Sequence, residues 1–344
     1  MTKRYIEKGL QSDVVLSCRV RLARNFADYP FPSRLGREQS MEIVDKVKAA
    51  IKDNKESSKE FLYVDMHELD PISKQALVEK HLISPNLAES TIESGAAISK
   101  DERVSIMVNE EDHLRIQCIF PGMQIEKAWD MCNRIDGIFE KKISYAFDKD
   151  YGYLTCCPTN VGTGMRASVM LHLPALTITG YIRSVLETCS KLGVAVRGAY
   201  GEHSEASGNM FQFSNQISLG NTEKDILSGI NNIVTQIIER ERVLRKQLYE
   251  KNQTGFEDRL YRSFGVLQNA RIISTEESVK LLSDVRLAVN MGIINETSLE
   301  VINEVMLIIQ PASLQKIMGK PLGPQERDIK RAEIIRNKLA SKGV

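Results

Sequence analysis

The chain has 344 residues, a length that suggests two domains at the usual ~100–200 residues each. Its 46 lysines and arginines nearly balance its 45 aspartates and glutamates, so the formal net charge is only +1. This balance excludes a strongly basic nucleic-acid binder, and we expect no direct nucleic-acid partner. With 42% hydrophobic and 26% charged residues, the composition is typical of a soluble globular protein and excludes extensive disorder.

The sequence carries no membrane, export or metal motif. No apolar run approaches the ~18–20 residues that a membrane span needs, and the N-terminal residues lack the apolar core of a signal peptide. We therefore expect a cytoplasmic protein without a membrane partner. The six cysteines form no CxxC pair and the five histidines no HExxH motif, so we expect reduced thiols and no metal ion held by the chain itself.

The chain divides into two regions of different sequence character. Residues 13–220 mix strand-like alternation, glycine turns and helical stretches, whereas residues 223–342 have an almost entirely helical pattern. The segment Asn252–Gly255 is typical of a linker. We therefore predict a mixed α and β domain over residues 1–252 and a helical domain over residues 253–344.

The first predicted strand carries two arginines on one face. In DVVLSCRVRLARN (13–25), apolar residues alternate with Ser17, Arg19 and Arg21, so a period of two places both guanidinium groups opposite the apolar set. Two neighbouring guanidinium groups repel each other unless an anion lies between them. The alternative is a solvated outer face with carboxylates nearby, which is the ordinary environment of charged residues.

The same pattern recurs in three later segments. RVSIMVNEEDHLRIQCIF (103–120) predicts two strands joined by a polar turn, with Arg115 opposite the apolar face of the second. Arg166 opens a predicted strand in MRASVMLHLP, and Arg197 ends one in LGVAVRGAYGE. If these strands share one sheet, five arginines converge on a polyanion, because the permanently charged guanidinium fork binds phosphate oxygens in pairs.

Other phosphate-binding motifs do not fit. The chain has no G-x-x-x-x-G-K-[ST] loop, and it has no HRD or DFG sequence, which excludes a eukaryotic-type protein kinase. Residues 162–167, GTGMRA, match a GxGxxA dinucleotide fingerprint. That fingerprint must open a helix, whereas the residues that follow alternate like a strand.

Acidic residues lie next to two of these arginines. The turn Asn109–His113 contains three acids immediately before Arg115, and Glu202 follows Arg197. One interpretation is a plain polar hairpin turn. The other is a pair of carboxylates that flank bound phosphate, which indicates a cationic phosphoryl acceptor such as a guanidinium group. Freeing a nitrogen of that acceptor at pH 7 costs about 7–8 kcal/mol, which a carboxylate avoids by taking the proton during transfer.

Cys157, in LTCCPTNVGTG, precedes a turn rich in proline and glycine. A free cysteine is most often a buried small hydrophobe. Alternatively, nearby arginines would favour its thiolate, which would orient or polarise an acceptor guanidinium. The adjacent Cys156 is expected to point the other way if the segment is extended.

The C-terminal region carries clear helix signals. Apolar residues recur at helical spacing over residues 223–252. Capping-box patterns begin at Ser274 and Thr297, and Pro324 suits the first turn of another helix. The apolar faces of these helices predict a dimer interface, although packing within one chain explains them equally well.

Four segments together resemble the phosphagen (guanidino) kinase family: SCRVRLAR (17–24), NEEDHLR (109–115), CPTNVGTGMRAS (157–168) and RGAYGEHSE (197–205). They follow the family's order, and the similarity covers about residues 13–220. The resemblance implies an α+β fold with an antiparallel sheet flanked by helices. It also implies transfer of the γ-phosphoryl group of ATP, accompanied by Mg²⁺, to a guanidinium group.

The resemblance assigns roles to individual residues. The acceptor guanidinium would be contacted by Glu111, Glu202 and Cys157. The nucleotide would be bound by Ser17, Cys18, Arg19, Val20, Arg21, His81, Arg115, Arg166, Ala167, Ser168, Val169, Met170, Arg197, Gly198, Ala199, Tyr200, Gly201 and Glu202. Cys18 stands where the family usually has serine, a small change that we expect to be tolerated.

One branch of the family fits best. Members that act on free arginine or creatine carry a long helical domain before the first arginine pair, with a loop that closes over the small substrate. Here Arg19 lies near the start of the sequence and a helical C-terminal region follows, as in the bacterial branch that phosphorylates arginine side chains in proteins. A kinase of free arginine or another small guanidino metabolite is one alternative. A non-catalytic phosphoarginine-binding adaptor is another.

The C-terminal region has its own match to this branch. RDIKRA resembles a motif that binds phosphoarginine away from the active site, and its members are Arg327, Asp328, Ile329, Lys330, Arg331 and Ala332. Arg331 would take the phosphate and Asp328 the guanidinium part, whereas a solvated helix with local ion pairs is the alternative. The resemblance implies as partners a zinc-binding activator (McsA), the ClpC unfoldase with its protease and the heat-shock repressor CtsR, and we expect a homodimer.

Overall fold

The computed structural model of the protein describes residue 4 and residues 7–54, 57–198 and 207–340. The strands are β1 (Val15–Arg24), β2 (Phe61–Asp65), β3 (Gly95–Ser99), β4 (Val104–Val108), β5 (Leu114–Pro121), β6 (Phe147–Asp148), β7 (Gly152–Tyr153), β8 (Met165–His172), β9 (Val194–Gly198) and β10 (Met210–Asn215). Within the described residues, eight of them form one sheet in the order β2-β3-β4-β5-β1-β8-β10-β9, and β6 pairs with β7. Every neighbouring pair in the large sheet is antiparallel.

The central strand β1 explains why the sheet has two different faces. Cys18, Val20 and Leu22 are fully buried in the main hydrophobic core. Arg19 and Arg21 alternate with them and so point to the other side. The predicted period of two is confirmed, and at β1 it gives the sheet one apolar side and one polar side.

Helices cover the apolar face and continue beyond the sheet. They are α1 (Arg37–Asp53), α2 (Ser57–Glu60), α3 (Pro71–Glu79), α4 (Pro85–Ala88), α5 (Ile125–Glu140), α6 (Pro174–Ile178), α7 (Ile182–Lys191), α8 (Glu223–Lys251), α9 (Gln253–Asn269), α10 (Thr275–Asn290), α11 (Leu299–Ile308), α12 (Pro311–Met318) and α13 (Pro324–Ala340). α5 packs against β1 and β5, and α8 packs against β8 and β10. The helix predicted over residues 223–252 is confirmed, Ser274 caps α10, and Pro324 opens α13, as predicted.

Helices α9, α10, α11 and α13 build a second apolar core around Leu260, Leu282, Val305 and Ile335. Met210 of β10 belongs to the same core, so this helical region packs directly against the sheet. The architecture is the predicted antiparallel sheet flanked by helices, followed by a helical region. No helix in the described part of the chain has both the length and the apolar character that crossing a membrane requires.

Two local predictions, a linker and a helix cap, are wrong. Asn252–Gly255 is not a linker, because Asn252 alone separates α8 from α9 and its side-chain oxygen accepts a hydrogen bond from the Gly255 N–H (3.1 Å). Asparagine is a preferred N-cap, so a segment that resembles a loop starts a helix here. Ser298, and not the predicted Thr297, caps α11, because the Ser298 hydroxyl accepts a hydrogen bond from the Val301 N–H (3.4 Å).

A buried ion pair fixes the end of β1. The Arg24 guanidinium contacts the Asp136 carboxylate of α5 (Nη2–Oδ2 2.7 Å), and both side chains are almost fully buried. The same guanidinium lies over the Tyr153 ring and donates to the Thr163 carbonyl (3.0 Å). It therefore links β1 and α5 to the loop that precedes β8.

Asp136→Asn is expected to lower the free energy of unfolding by about 3–5 kcal/mol, because it leaves the buried Arg24 charge without its partner. Unfolding in denaturant measures this change. Asp130→Asn, at an exposed position on the same helix, is the matched control and should stay within about 0.5 kcal/mol of the parent protein. Small and equal effects of both substitutions would contradict the role given to the ion pair.

Candidate active site

The register of the sheet brings the arginines of three strands onto the polar face. Arg21 of β1 lies directly opposite Arg166 of β8, and Arg115 of β5 lies opposite Ala23 of β1. Directly opposed residues of antiparallel strands point to the same side. Arg19, Arg21 and Ala23 also share a side because they are two residues apart.

A fourth strand adds the remaining arginine. Arg197 of β9 pairs with Gln212 of β10, Gln212 pairs with Met170 of β8, and Met170 pairs with Ser17 of β1. Each pairing preserves the side to which a side chain points, and Ser17 shares its side with Arg19. We call this side of the sheet the arginine face, which carries Arg19, Arg21, Arg115, Arg166 and Arg197.

The arginines lie close enough to disfavour one another's charge. Burial, followed by the charges of four other arginines, lowers the pKa of Arg19 to about 9. Burial and neighbouring arginines also lower the pKa values of Arg21 and Arg166. The Nε atoms of Arg21 and Arg166 are buried and have no hydrogen-bond partner among the described residues. A bound polyanion would satisfy these N–H groups and relieve the repulsion.

Inorganic triphosphate is therefore expected to raise the Tm of the protein. At a hundredfold excess over its Kd, a ligand that binds only the folded state adds about 2.7 kcal/mol to the free energy of unfolding, which raises Tm by roughly 4 °C for a chain of this size. Differential scanning calorimetry, with sodium chloride at the same ionic strength as the control, measures the shift. Equal curves with triphosphate and with chloride would contradict the arginine face as a polyanion site.

Two glutamines that the sequence analysis did not identify hold Arg19 in place. Arg19 Nη2 donates to the side-chain oxygen of Gln212 (2.8 Å), and Nη1 donates to that of Gln117 (3.4 Å). Gln117 also donates to the backbone carbonyl of His81 (2.7 Å). The alternation of Arg115 with Gln117 in LRIQCIF is the sequence signal that could have found one of them.

His81 lies in a recess beside the arginine face. Its backbone has φ +56°, a left-handed conformation that is uncommon outside glycine. Desolvation in the recess, followed by the charges of Arg19 and Arg4, lowers the pKa of the ring. The imidazole is therefore neutral at physiological pH, and His81 is exposed, so it can contact a bound molecule.

The other residues predicted to bind the nucleotide differ in position. Three have side chains on the arginine face: Ser17, Ser168 and Met170. Four have side chains in the apolar core on the opposite side, which leaves their backbone for any nucleotide contact: Cys18, Val20, Ala167 and Val169. One ends β9, Gly198. Four lie outside the described residues: Ala199, Tyr200, Gly201 and Glu202.

The three acids of the turn before Arg115 have different surroundings. The Glu110 carboxylate accepts two hydrogen bonds from Arg115 (both 2.7 Å), and its side chain is fully buried. Asp112 is buried and accepts from the Asn25 amide (2.6 Å). Glu111 is exposed and has no hydrogen-bond partner in the part of the chain that the structure describes. Of these three carboxylates, Glu111 is the one available to a bound molecule.

Glu111 and Cys157 both lie near enough to Arg166 to interact with it electrostatically. Burial and neighbouring arginines lower the pKa of Arg166, and the charge of Glu111 acts in the opposite direction, as a thiolate at Cys157 would. Cys157 is half-buried, and its Sγ lies 3.0 Å from Thr159 Oγ1. Burial and nearby carboxylates raise the pKa of the adjacent Cys156 to about 12, so that thiol stays protonated.

The C-terminal motif lies on α13, and its members differ in exposure. Arg331 is 1% exposed, and it donates to the carbonyls of Ile309 (3.0 Å) and Ile273 (2.9 Å). This arrangement disagrees with the expectation that Arg331 takes a phosphate. The N–H groups of Arg331 already donate to these two carbonyls and to Asp328 on the same helix. Arg327 and Asp328 are partly exposed. Of the other members, Ile329 is exposed, Lys330 is partly exposed and Ala332 is buried.

Both regions of the chain match known protein families. The ATP:guanido phosphotransferase C-terminal catalytic domain matches residues 42–244. The protein-arginine kinase McsB C-terminal domain matches residues 253–343. The family resemblance inferred from the four motifs is thus confirmed.

Individual relatives extend over almost the whole chain. A protein-arginine kinase of Caldanaerobacter subterraneus subsp. tengcongensis is 51% identical and covers 96% of this chain and 98% of its own. A protein-arginine kinase of Bacillus subtilis is 48% identical and covers 97% of this chain and 92% of its own.

Solved structures share the fold. A lombricine kinase superposes with a TM-score of 0.61 at 22% identity, covering 69% of this chain and 68% of its own. The duplicated taurocyamine kinase from Schistosoma mansoni superposes with a TM-score of 0.60 at 26% identity, covering 72% of this chain and 37% of its own. The chain therefore belongs to the ATP:guanido phosphotransferase family, and within it to the protein-arginine kinases.

Proposed function

We propose that this chain transfers the γ-phosphoryl group of ATP to arginine side chains of proteins. The observation that carries the proposal is the arginine face, with the one exposed carboxylate of its neighbouring turn, Glu111, beside it. Guanidinium groups suit the phosphates, and a carboxylate suits a guanidinium acceptor. The relatives at about half identity are protein-arginine kinases, which supports the same acceptor.

In the proposed reaction, an acceptor nitrogen attacks the γ-phosphorus while the bond to the β–γ bridging oxygen breaks and ADP leaves. The proton lost from that nitrogen passes to the Glu111 carboxylate, so the acceptor is never released as a free base. The arginine face aligns the phosphates and stabilises the charge that develops on them. We assign Glu202, from the family pattern, as a second carboxylate against the acceptor.

Mg²⁺ would accompany ATP in this reaction. Among the described residues, no group of three or more His, Cys, Asp and Glu side chains is close enough to hold a metal ion. Glu110 and Asp112, the buried acids nearest the arginine face, already accept hydrogen bonds from Arg115 and Asn25. We propose that phosphate oxygens and water hold most of the ion, which would offset phosphate charge.

Cys157→Ser is expected to lower kcat roughly tenfold, or 1.4 kcal/mol of transition-state stabilisation. The reason is that serine keeps the size and hydrogen bonding of the side chain but does not form the anion that would orient the acceptor. Steady-state kinetics at saturating ATP measures the effect, and Cys156→Ser serves as the neighbouring control. An unchanged kcat for Cys157→Ser would reduce the thiol to a packing role.

The choice between a protein and a free amino acid as substrate can be tested directly. The chain is incubated with ATP and either free arginine or an unfolded arginine-rich protein at equal arginine concentration, and ADP release is measured. We expect a higher kcat/KM for the protein. An equal or higher value for free arginine would replace this proposal with a metabolite kinase, and no transfer to either would favour a non-catalytic adaptor.

We propose that the C-terminal motif binds phosphoarginine through Arg327 and Asp328, two of its partly exposed charged members. We also propose a cytoplasmic homodimer that works with McsA, marks proteins for ClpC and its protease, and inactivates the repressor CtsR. These partners, and the stress-response role that they imply, rest on the family resemblance.

Phosphoarginine should bind the parent protein and should bind the Arg327→Ala variant more weakly, as measured by calorimetry.

A further inference from the structure

A cavity of 180 Å³ lies between the arginine face and the C-terminal helices. Arg19, His81 and Met170 line it from the side of the sheet, and Val279, Met306 and Leu307 line it from α10 and α11. The cavity therefore has one wall from each of the two regions of the chain.

This cavity continues from the proposed phosphate site. Arg19 belongs to both, because it lies on the arginine face and also lines the cavity. A nucleotide with its phosphates on the arginine face could therefore extend past Arg19 and place its base in the cavity. His81, whose ring is neutral, is on the same wall.

The lining suits a flat heteroaromatic ring. Methionine and aliphatic side chains give the wall apolar surface, and polar and charged side chains, among them Gln212 and Gln310, add hydrogen-bonding groups. Ligand sites typically combine such apolar surface with a few polar groups that set orientation. In another protein a cavity of about 150 Å³ binds benzene, so this one has room for a ring system.

The helical wall is held in place by contacts with the sheet side. The Glu79 carboxylate at the end of α3 accepts hydrogen bonds from the N–H groups of Ala312 (2.8 Å) and Ser313 (2.7 Å), at the start of α12. Glu79 also lines the cavity, two residues before His81. The position of α11 and α12 is thus tied to the segment that carries His81.

We propose that α10 and α11 of the C-terminal region form the outer wall of the nucleotide-base site, with Met306 in contact with the base. This inference rests on the proposed function, since it takes the arginine face as the triphosphate site. It adds that the base affinity of this enzyme depends on the helical region, which lies outside the residues that match the catalytic-domain family.

The test compares two matched substitutions. Met306 and Met291 are both half-buried and pack against the same apolar core, but only Met306 lines the cavity. Calorimetric titrations of the full chain with ATP and with inorganic triphosphate give two Kd values for each variant. We expect Met306→Ala to weaken ATP binding at least about tenfold, the effect of a lost methylene in an apolar pocket, and to leave triphosphate binding unchanged. Met291→Ala should change neither.

Three outcomes separate this inference from the proposed function. If Met306→Ala binds ATP as the parent protein does, or weakens triphosphate equally, the helical wall does not contact the base. If the parent protein binds neither ATP nor triphosphate, the proposed function fails with it. A second variant, Met306→Trp, fills the cavity and should block ATP but not triphosphate, provided that its thermal unfolding remains cooperative. ATP binding equal to that of the parent protein would overturn the inference.

Discussion

Glu111→Gln is expected to lower kcat for arginine phosphorylation by about 10²–10⁴-fold, the usual contribution of a positioned general base. Glutamine keeps the shape of the side chain but cannot take the proton of the acceptor. Because Glu111 is exposed and has no hydrogen-bond partner among the described residues, the substitution should not disturb the fold or the arginine face. KM for ATP and Tm should therefore stay close to those of the parent protein.

The control for this substitution is Glu89→Gln. Glu89 is also exposed and also lacks a hydrogen-bonded side chain in the described residues, but it lies outside the acid turn. Steady-state kinetics with an unfolded protein substrate measures both variants, and the control should retain the parent kcat. A Glu111→Gln enzyme with near-normal kcat would show that another group takes the proton.

Arg21→Met is expected to lower kcat by about 10³-fold and, at the same time, to raise the Tm of the ligand-free protein. Loss of one phosphate-binding arginine typically costs 10³ or more in phosphoryl transfer, about 4 kcal/mol. The gain in stability has a separate cause. Burial, followed by the charges of Arg19, Arg115 and Arg166, lowers the pKa of Arg21 in the folded protein.

The sign of this stability effect follows from that lowered pKa. When folding lowers the pKa of an arginine, the charged form of that arginine destabilises the folded state relative to the unfolded state. The penalty is complete at pH values below the folded-state pKa and fades only as pH rises through it toward the ordinary value. Neutral pH lies far below the ordinary pKa of arginine, so the folded chain bears a penalty there and removal of the charge stabilises it.

Calorimetry with and without triphosphate separates the two effects of Arg21→Met. The variant should have the higher Tm alone and the smaller increase with triphosphate. Arg183→Met, at an exposed arginine on α7, is the control and should change neither value. A lower Tm for the ligand-free Arg21→Met protein would show that this side chain stabilises the fold, contrary to the electrostatic account.

The strand pattern of the arginines was predictable because it is local. A period of two is enough to place Arg19 and Arg21 on one side of β1. That Arg21 lies opposite Arg166 depends on the register between distant segments, which alternation does not specify. The family resemblance supplied the grouping, and the pairing of the strands gives its physical reason.

Contacts between distant residues explain what the sequence did not reveal. The three acids before Arg115 look equivalent in sequence, but Glu110 and Asp112 are occupied by partners that folding brings to them. Similarly, Arg331 has the spacing of a surface residue on a helix, yet its guanidinium is buried against carbonyls of other segments. Helical spacing alone does not show which face of α13 is covered.

The central claim is that the arginine face and Glu111 together transfer phosphate to arginine side chains. Mass spectrometry at neutral pH tests it most directly, on an unfolded protein incubated with ATP and this chain. A matched substrate with every arginine replaced by lysine serves as the comparison. The account predicts phosphate on arginine in the first substrate and none in the second. Phosphate on hydroxyl groups, or equal labelling of both substrates, would contradict it.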